Sequence, residues 1–290
     1  MKVKTYIKRG VEYILHGVPQ QHISTDITVL SPTDLLSGRN ALITGGSSGI
    51  GFSIAEAFVK AGAKVVITGR NIEKLNDAVY TLNKIKNNKC ALGFQMDITD
   101  VENTIGIAKK ITGTALNDTP IDILVNNAGI MGRFGISGIC EKEFDDVVST
   151  NIKGPFFLSS TIGQYMKNYH IKGNILNIAS SSSLRPANSV YGISKWGLRG
   201  FTQGLAKSLI PYGITVNGLA PGPTATPMVI NDTSKGIQRN GIFGRYITPE
   251  EIANMAVVLV SGIGKAVVGD IVYMTGGAGL LTTDDIPCIF

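Results

Sequence analysis

Tyr191 and Lys195 stand four residues apart in Tyr191-Gly192-Ile193-Ser194-Lys195. On a helix that spacing puts both side chains on one face, a turn from each other. A free phenol titrates at about 10 and a free lysine at about 10.4. A positive charge held near the phenol favours the phenolate and draws its pKa toward neutrality. The hydroxyl then becomes a usable general acid or base. Helices carry such pairs by chance, so the pair gains meaning only from what precedes it.

Ala41-Leu42-Ile43-Thr44 is a short apolar strand that runs into Gly45-Gly46-Ser47-Ser48-Gly49-Ile50-Gly51, with a helical stretch, Phe52 to Ala61, behind it. Strand, glycine turn and helix in that order make a pyrophosphate site: the glycines allow close backbone approach, and the helix start offers unpaired N–H groups. No Gly-Lys-Ser/Thr follows, which excludes a P-loop. About 20 residues on, the second strand ends in Gly69-Arg70. NAD would ask here for an acidic side chain on the ribose 2′-hydroxyl. A glycine and a guanidinium suit a 2′-phosphate instead, so the expected cofactor is NADP(H), with NAD(H) second.

These groups need a scaffold, and the remaining pattern supplies one. Strands are expected at 64–70, 90–96, 121–125, 174–179, 214–219 and 271–274. Helical stretches are expected at 71–88, 100–114, 141–168 (interrupted near Gly154-Pro155), 190–210 and 249–261, the last opened by Thr248-Pro249-Glu250-Glu251. Short strands apolar on both faces, alternating with helices, indicate a doubly wound parallel sheet in three α/β/α layers, one Rossmann-type domain. Its ligands belong at the carboxyl ends of the strands. The expected division is a domain over 39–280, preceded by an extension over 1–38 with a short amphipathic helix and followed by a tail over 281–290.

Composition fits that scaffold. The 290 residues are 43% hydrophobic and 17% charged, with a formal charge of +6. That balance favours anionic ligands such as nucleotides. No dense basic tract or basic–aromatic interleaving points to nucleic acid. Three scattered cysteines, Cys90, Cys140 and Cys288, give neither a disulfide framework nor metal spacing, and His16, His22 and His170 are too dispersed for a metal site. No apolar run is long enough to span a membrane, so the expected location is cytoplasmic.

With these motifs in order, the chain resembles the short-chain dehydrogenase/reductase family over about residues 38–280. The family's Thr-Gly-x-x-x-Gly-x-Gly falls on Thr44 through Gly51, its strand-end aspartate on Asp97, its Asn-Asn-Ala-Gly on Asn126 to Gly129, its active-site asparagine on Asn151, and its Tyr-x-x-x-Lys on Tyr191 and Lys195. The resemblance implies a catalytic set of Ser180, Tyr191, Lys195 and Asn151. Ser181 or Ser182 is the alternative to Ser180, because the serine-to-tyrosine gap is slightly shorter than the family's commonest. The cofactor would meet Gly45, Ser47, Ser48, Gly49, Ile50 and Gly51 of the turn, then Arg70, then Asp97 and Ile98. It would also meet Asn127, Ala128 and Gly129, then Tyr191 and Lys195, and finally Pro221, Gly222, Thr224 and Thr226. A homodimer or homotetramer is implied as well.

The expected activity is hydride transfer between NADP(H) and a small-molecule carbonyl or secondary alcohol. Hydroxysteroid or polyol dehydrogenation and reduction of 3-oxoacyl thioesters are the enzymatic alternatives. A catalytically silent dinucleotide-binding regulator is the non-enzymatic one. Arg133, Phe134 and Arg185 stand near the expected cleft, either on substrate or at the surface. Trp196 is expected in the core or an interface.

Overall fold

The computed structural model describes residues 31, 33–87, 89–113, 119–226, 228 and 245–277. The expected N-terminal amphipathic helix, most of the segment after Thr226 and the C-terminal tail lie outside the described residues.

Seven strands form one sheet: β1 (Asn40–Thr44), β2 (Lys64–Gly69), β3 (Ala91–Gln95), β4 (Ile123–Asn126), β5 (Asn174–Ile178), β6 (Thr215–Pro221) and β7 (Ile271–Met274). Their order is β3-β2-β1-β4-β5-β6-β7, and every pairing is parallel. The described helices between them are α1 (Gly49–Lys60), α2 (Ile72–Ile85), α3 (Val101–Gly113), α4 (Glu141–Val148), α5 (Gly154–Asn168), α6 (Val190–Leu209) and α7 (Pro249–Val260).

Strand residues divide by pleat. Ala41, Ile43, Val65, Ile67, Ile123 and Val125 pack with Ile54, Phe58, Leu75 and Ile252, from α1, α2 and α7. Leu42, Val66 and Leu124, one residue out of phase, pack with Ile111, Leu158 and Ile162, from α3 and α5. Successive strand side chains point to opposite faces, so an apolar run buries both only when helices cover both. The expected three layers are what the structure contains.

Local chemistry sets the helix starts. Asn71 accepts from Lys74 N at 2.8 Å to begin α2, and Ser189 accepts from Gly192 N at 3.1 Å to begin α6. At α7, Thr248 and Glu251 form the reciprocal box. The expected interruption of the 141–168 helix is a π turn at Ser149–Lys153, ending just before Gly154-Pro155. A π turn inserts a residue into the ladder and re-aims what it carries; here it carries Asn151.

The chain winds outward through β1, β2 and β3, then returns to start β4 on the other side of β1. Beside β1 at its carboxyl end the connections therefore diverge and leave a crevice.

Candidate active site

A cavity of about 650 Å³ occupies that crevice. Residues from six strand ends line it: Gly45 and Ser47 to Ile50 after β1, Gly69 to Asn71 at β2, Met96 to Ile98 after β3, Asn127 to Met131 after β4, Ile178 to Ser182 at β5, and Pro221 to Thr224 at β6. Tyr191, Lys195, Thr226 and Met228 complete the wall with Phe134, Thr150 and Arg185. Of the eighteen expected cofactor-binding positions, only Gly51 does not face the cavity.

Gly51 works from beneath. A Cβ there would lie 2.3 Å from both Asn127 Nδ2 and the Gly45 carbonyl oxygen, so no larger residue fits. Gly45 has φ +64, in the left-handed region that glycine enters without penalty. Between these glycines Asn127 acts as a strap, its amide donating to the carbonyls of Thr44 at 2.9 Å and Gly45 at 3.1 Å. The Thr44 hydroxyl accepts from Asn127 N and Ala128 N at 3.0 and 3.1 Å. The glycine turn and the Asn-Asn-Ala-Gly segment are thus one unit.

Arg70 and Asp97 line the same end of the cavity. The Asp97 carboxylate accepts from Thr99 N and the Thr99 hydroxyl at 3.0 and 2.8 Å. Burial pushes its pKa up, but those bonds and the Arg70 charge outweigh burial and hold it below the usual value.

At the other end stand Ser180, Tyr191 and Lys195. The Lys195 ammonium is buried, donates to the Ile178 carbonyl at 2.9 Å, and lies 5.6 Å from the centre of the Tyr191 ring. Burial takes its pKa from 10.5 down to about 8. For Tyr191 burial pushes the pKa up, opposed by a hydrogen bond from Ser180. The lowered phenol expected from the spacing is therefore not found. The enclosed site disfavours phenolate more than its neighbours favour it, and near neutrality Tyr191 holds its proton.

Asn151 is buried behind this group and does not line the cavity. Its amide donates to the Ile130 carbonyl at 2.9 Å and to the Ser194 hydroxyl at 3.0 Å, while Oδ1 accepts from Ile130 N at 2.9 Å. Asn151 Oδ1 and Lys195 Nζ flank Gly129, 3.3 and 3.7 Å from where its Cβ would be. Ser194, which secures Asn151 from the turn between Tyr191 and Lys195, is a residue the sequence reading missed. Its signal was a small polar residue on the buried side of α6, indistinguishable by type from an ordinary helix serine.

Of the residues left open, Phe134 and Arg185 line the cavity. Arg133 pairs instead with Glu143, whose carboxylate accepts from Arg133 N at 2.7 Å. Trp196 is 41% exposed, so it is not a core residue. Among the described residues no group of acidic, histidine or cysteine side chains is arranged to hold a metal, and no helix is long and apolar enough to cross a membrane.

The geometry suits an extended dinucleotide: a glycine cradle that an added Cβ would fill, a cation at one end, and a phenol with an ammonium at the other. Comparison with known proteins agrees. The family model for short chain dehydrogenases matches residues 39–236. Gluconate 5-dehydrogenase of Gluconobacter oxydans is 33% identical over 251 residues, covering 83% of this chain and 95% of that protein. The 3-oxoacyl-(acyl-carrier-protein) reductase of Rickettsia bellii is 36% identical over 248 residues, covering 83% and 97%. Among solved structures, one described as an NAD(P)-dependent gluconate 5-dehydrogenase from Beutenbergia cavernae, with NADP bound at low occupancy, superposes with a TM-score of 0.76 at 30% identity, covering 85% of this chain and 98% of that one. The chain belongs to the short chain dehydrogenase family and is an oxidoreductase of that type.

Proposed function

We propose that the protein is an NADP(H)-dependent oxidoreductase that reduces a small-molecule carbonyl to a secondary alcohol, or runs the reverse reaction, with Ser180, Tyr191, Lys195 and Asn151 as its catalytic set. The observation that carries this reading is the convergence of Ser180, Tyr191 and Lys195 on the same cavity as the glycine turn and Arg70. When bound, the nicotinamide supplies or accepts the hydride.

The residues divide the remaining work. Ser180 donates a hydrogen bond to the carbonyl oxygen, where negative charge develops. Tyr191, protonated at neutral pH, gives its proton to that oxygen, and in oxidation its phenolate takes one back. The Lys195 ammonium sits close enough to favour the phenolate that forms. Asn151 holds the Gly129–Ile130 backbone, and a water on its remaining acceptor positions relays protons toward Lys195. At the opposite end the glycine turn would hold the pyrophosphate, Asp97 and Ile98 would meet the adenine, and Arg70 would pair with the 2′-phosphate. Pro221, Gly222, Thr224 and Thr226, which line the same cavity, would hold the nicotinamide side.

Support for NADP(H) comes from Arg70, from the absence of an acidic residue at the end of β2, and from the Beutenbergia cavernae structure, which holds NADP. Relatives act on gluconate, on galactitol and on 3-oxoacyl thioesters, as their names state, so those substrates and their keto forms lead the screen. We read 39–280 as the catalytic domain in the cytoplasm, with 1–38 and 281–290 as extensions. Exposed Phe144, Phe156, Phe157, Ile193 and Trp196 on α4, α5 and α6 support a homodimer or homotetramer. The test is NADPH oxidation across keto acids, keto sugars, steroids and 3-oxoacyl thioesters. Turnover of none, with NADPH bound, would favour the silent regulator.

A further inference from the structure

Ser180 opens a short turn, Ser180 to Arg185, that side chains outside the cavity hold from two directions. Helix α6 supplies two ties. Arg199 Nη1 donates to the Ser183 carbonyl at 3.0 Å, and Trp196 Nε1 donates to the Arg185 carbonyl at 2.7 Å. The Arg199 guanidinium lies 5.1 Å from the centre of the Trp196 ring, so the two donors brace each other. Strand β7 supplies the third tie. The buried Ser183 hydroxyl donates to the Ser180 carbonyl at 2.7 Å and lies 3.3 Å from the Tyr273 hydroxyl. With the serine proton on Ser180 O, the tyrosine is the donor to Ser183 Oγ. Tyr273 itself packs against Ala179, Ala220 and Ile271.

We propose that Trp196, Arg199 and Tyr273 are positioning residues that lock Ser180 against Tyr191. The same helix carries Tyr191 and Lys195 and, within about one turn of Lys195, Trp196 and Arg199. The separation between the proton donor and the oxyanion donor is thereby set by α6, with β7 as a second anchor. Inside the turn, Ser182 N donates to Ser180 Oγ at 3.1 Å. Ser180 Oγ in turn donates to Ser182 Oγ at 3.3 Å, a long bond that the Ser180 proton exchanges for the substrate oxygen. The clamp also explains how the short serine-to-tyrosine gap is accommodated without passing the role to Ser182, whose Oγ is only 3.3 Å from Ser180 Oγ.

The proposal rests on the catalytic reading of Ser180 and Tyr191, and its test separates the two. Tyr273→Phe and Trp196→Phe each delete one donor and keep a ring. In the full chain each is expected to lower kcat by roughly tenfold, the scale of a sub-ångström misplacement, with the NADPH KM unchanged. In a Ser180→Ala background neither change lowers kcat further, because the group they position is gone. Arg199→Lys recovers part of the rate lost in Arg199→Met. If Arg199→Met fails to fold, the two phenylalanine variants decide alone. Additive losses on top of Ser180→Ala, or wild-type rates in both phenylalanine variants, overturn the clamp while a slow Tyr191→Phe leaves the reaction standing. A Tyr191→Phe enzyme as fast as wild type overturns the reaction and the clamp together.

Discussion

Replacing Lys195 by methionine should abolish activity and make the protein more stable. Lys195 is 5% exposed, and burial lowers its pKa from 10.5 to about 8. That difference corresponds to a cost on the order of 3 kcal/mol for folding with the charge in place. The sign follows from proton binding. Between about 8 and 10.5 the unfolded chain keeps a proton that the folded chain has lost, so wild-type stability rises with pH across that window. Below about 8 both states are protonated, and the full cost is felt.

Methionine has similar length and no charge, so it removes the cost at every pH. It leaves the Ile178 carbonyl without its 2.9 Å donor, a loss of about 1–2 kcal/mol. The net expectation at pH 7 is a gain of about 1–2 kcal/mol, or several degrees in Tm. By pH 10.5 the gap closes or reverses, since wild type has shed its proton too. Urea melts of both proteins at pH 7 and pH 10 measure it. A variant less stable than wild type at pH 7, or a gap equal at both pH values, refutes the reasoning.

Three further outcomes are expected. Arg70→Gln should raise the KM for NADPH by roughly 10- to 100-fold, the worth of a charge-assisted pair, and leave that for NADH nearly unchanged. Gly51→Ala should lose NADPH affinity and about 1–3 kcal/mol of stability, read by titration and urea melts, because its methyl would meet Asn127 and Gly45 at 2.3 Å. In a pH–rate profile, carbonyl reduction should fall as pH rises through about 8, where Lys195 loses the charge that favours phenolate formation; a flat profile to pH 10 would exclude that role.

What the sequence made legible was local. The glycine turn could be read because Thr44 to Gly51 lies between a strand and a helix, and only glycine tolerates the approach at Gly51. The two-faced strands could be read because Leu42 and Ile43 are both apolar, which only a sheet covered on both sides accommodates. The hidden features were those made by partners distant in the chain. Asn151 is held by Ile130 and Ser194, 21 and 43 residues away, and Ser183 meets Tyr273 across 90 residues. Residue type alone carries no trace of such pairings. The direction of the Tyr191 shift was misjudged for a related reason: spacing reports the neighbouring charge, while the desolvation that outweighs it comes from the whole fold.

The central claim is tested most directly by NADPH oxidation with Tyr191→Phe, measured beside NADPH binding to the same variant. Wild type should reduce at least one carbonyl in the panel. The variant should bind NADPH as tightly and lose at least roughly 100-fold in rate, the usual worth of a positioned general acid. Equal rates for the two proteins would contradict the account.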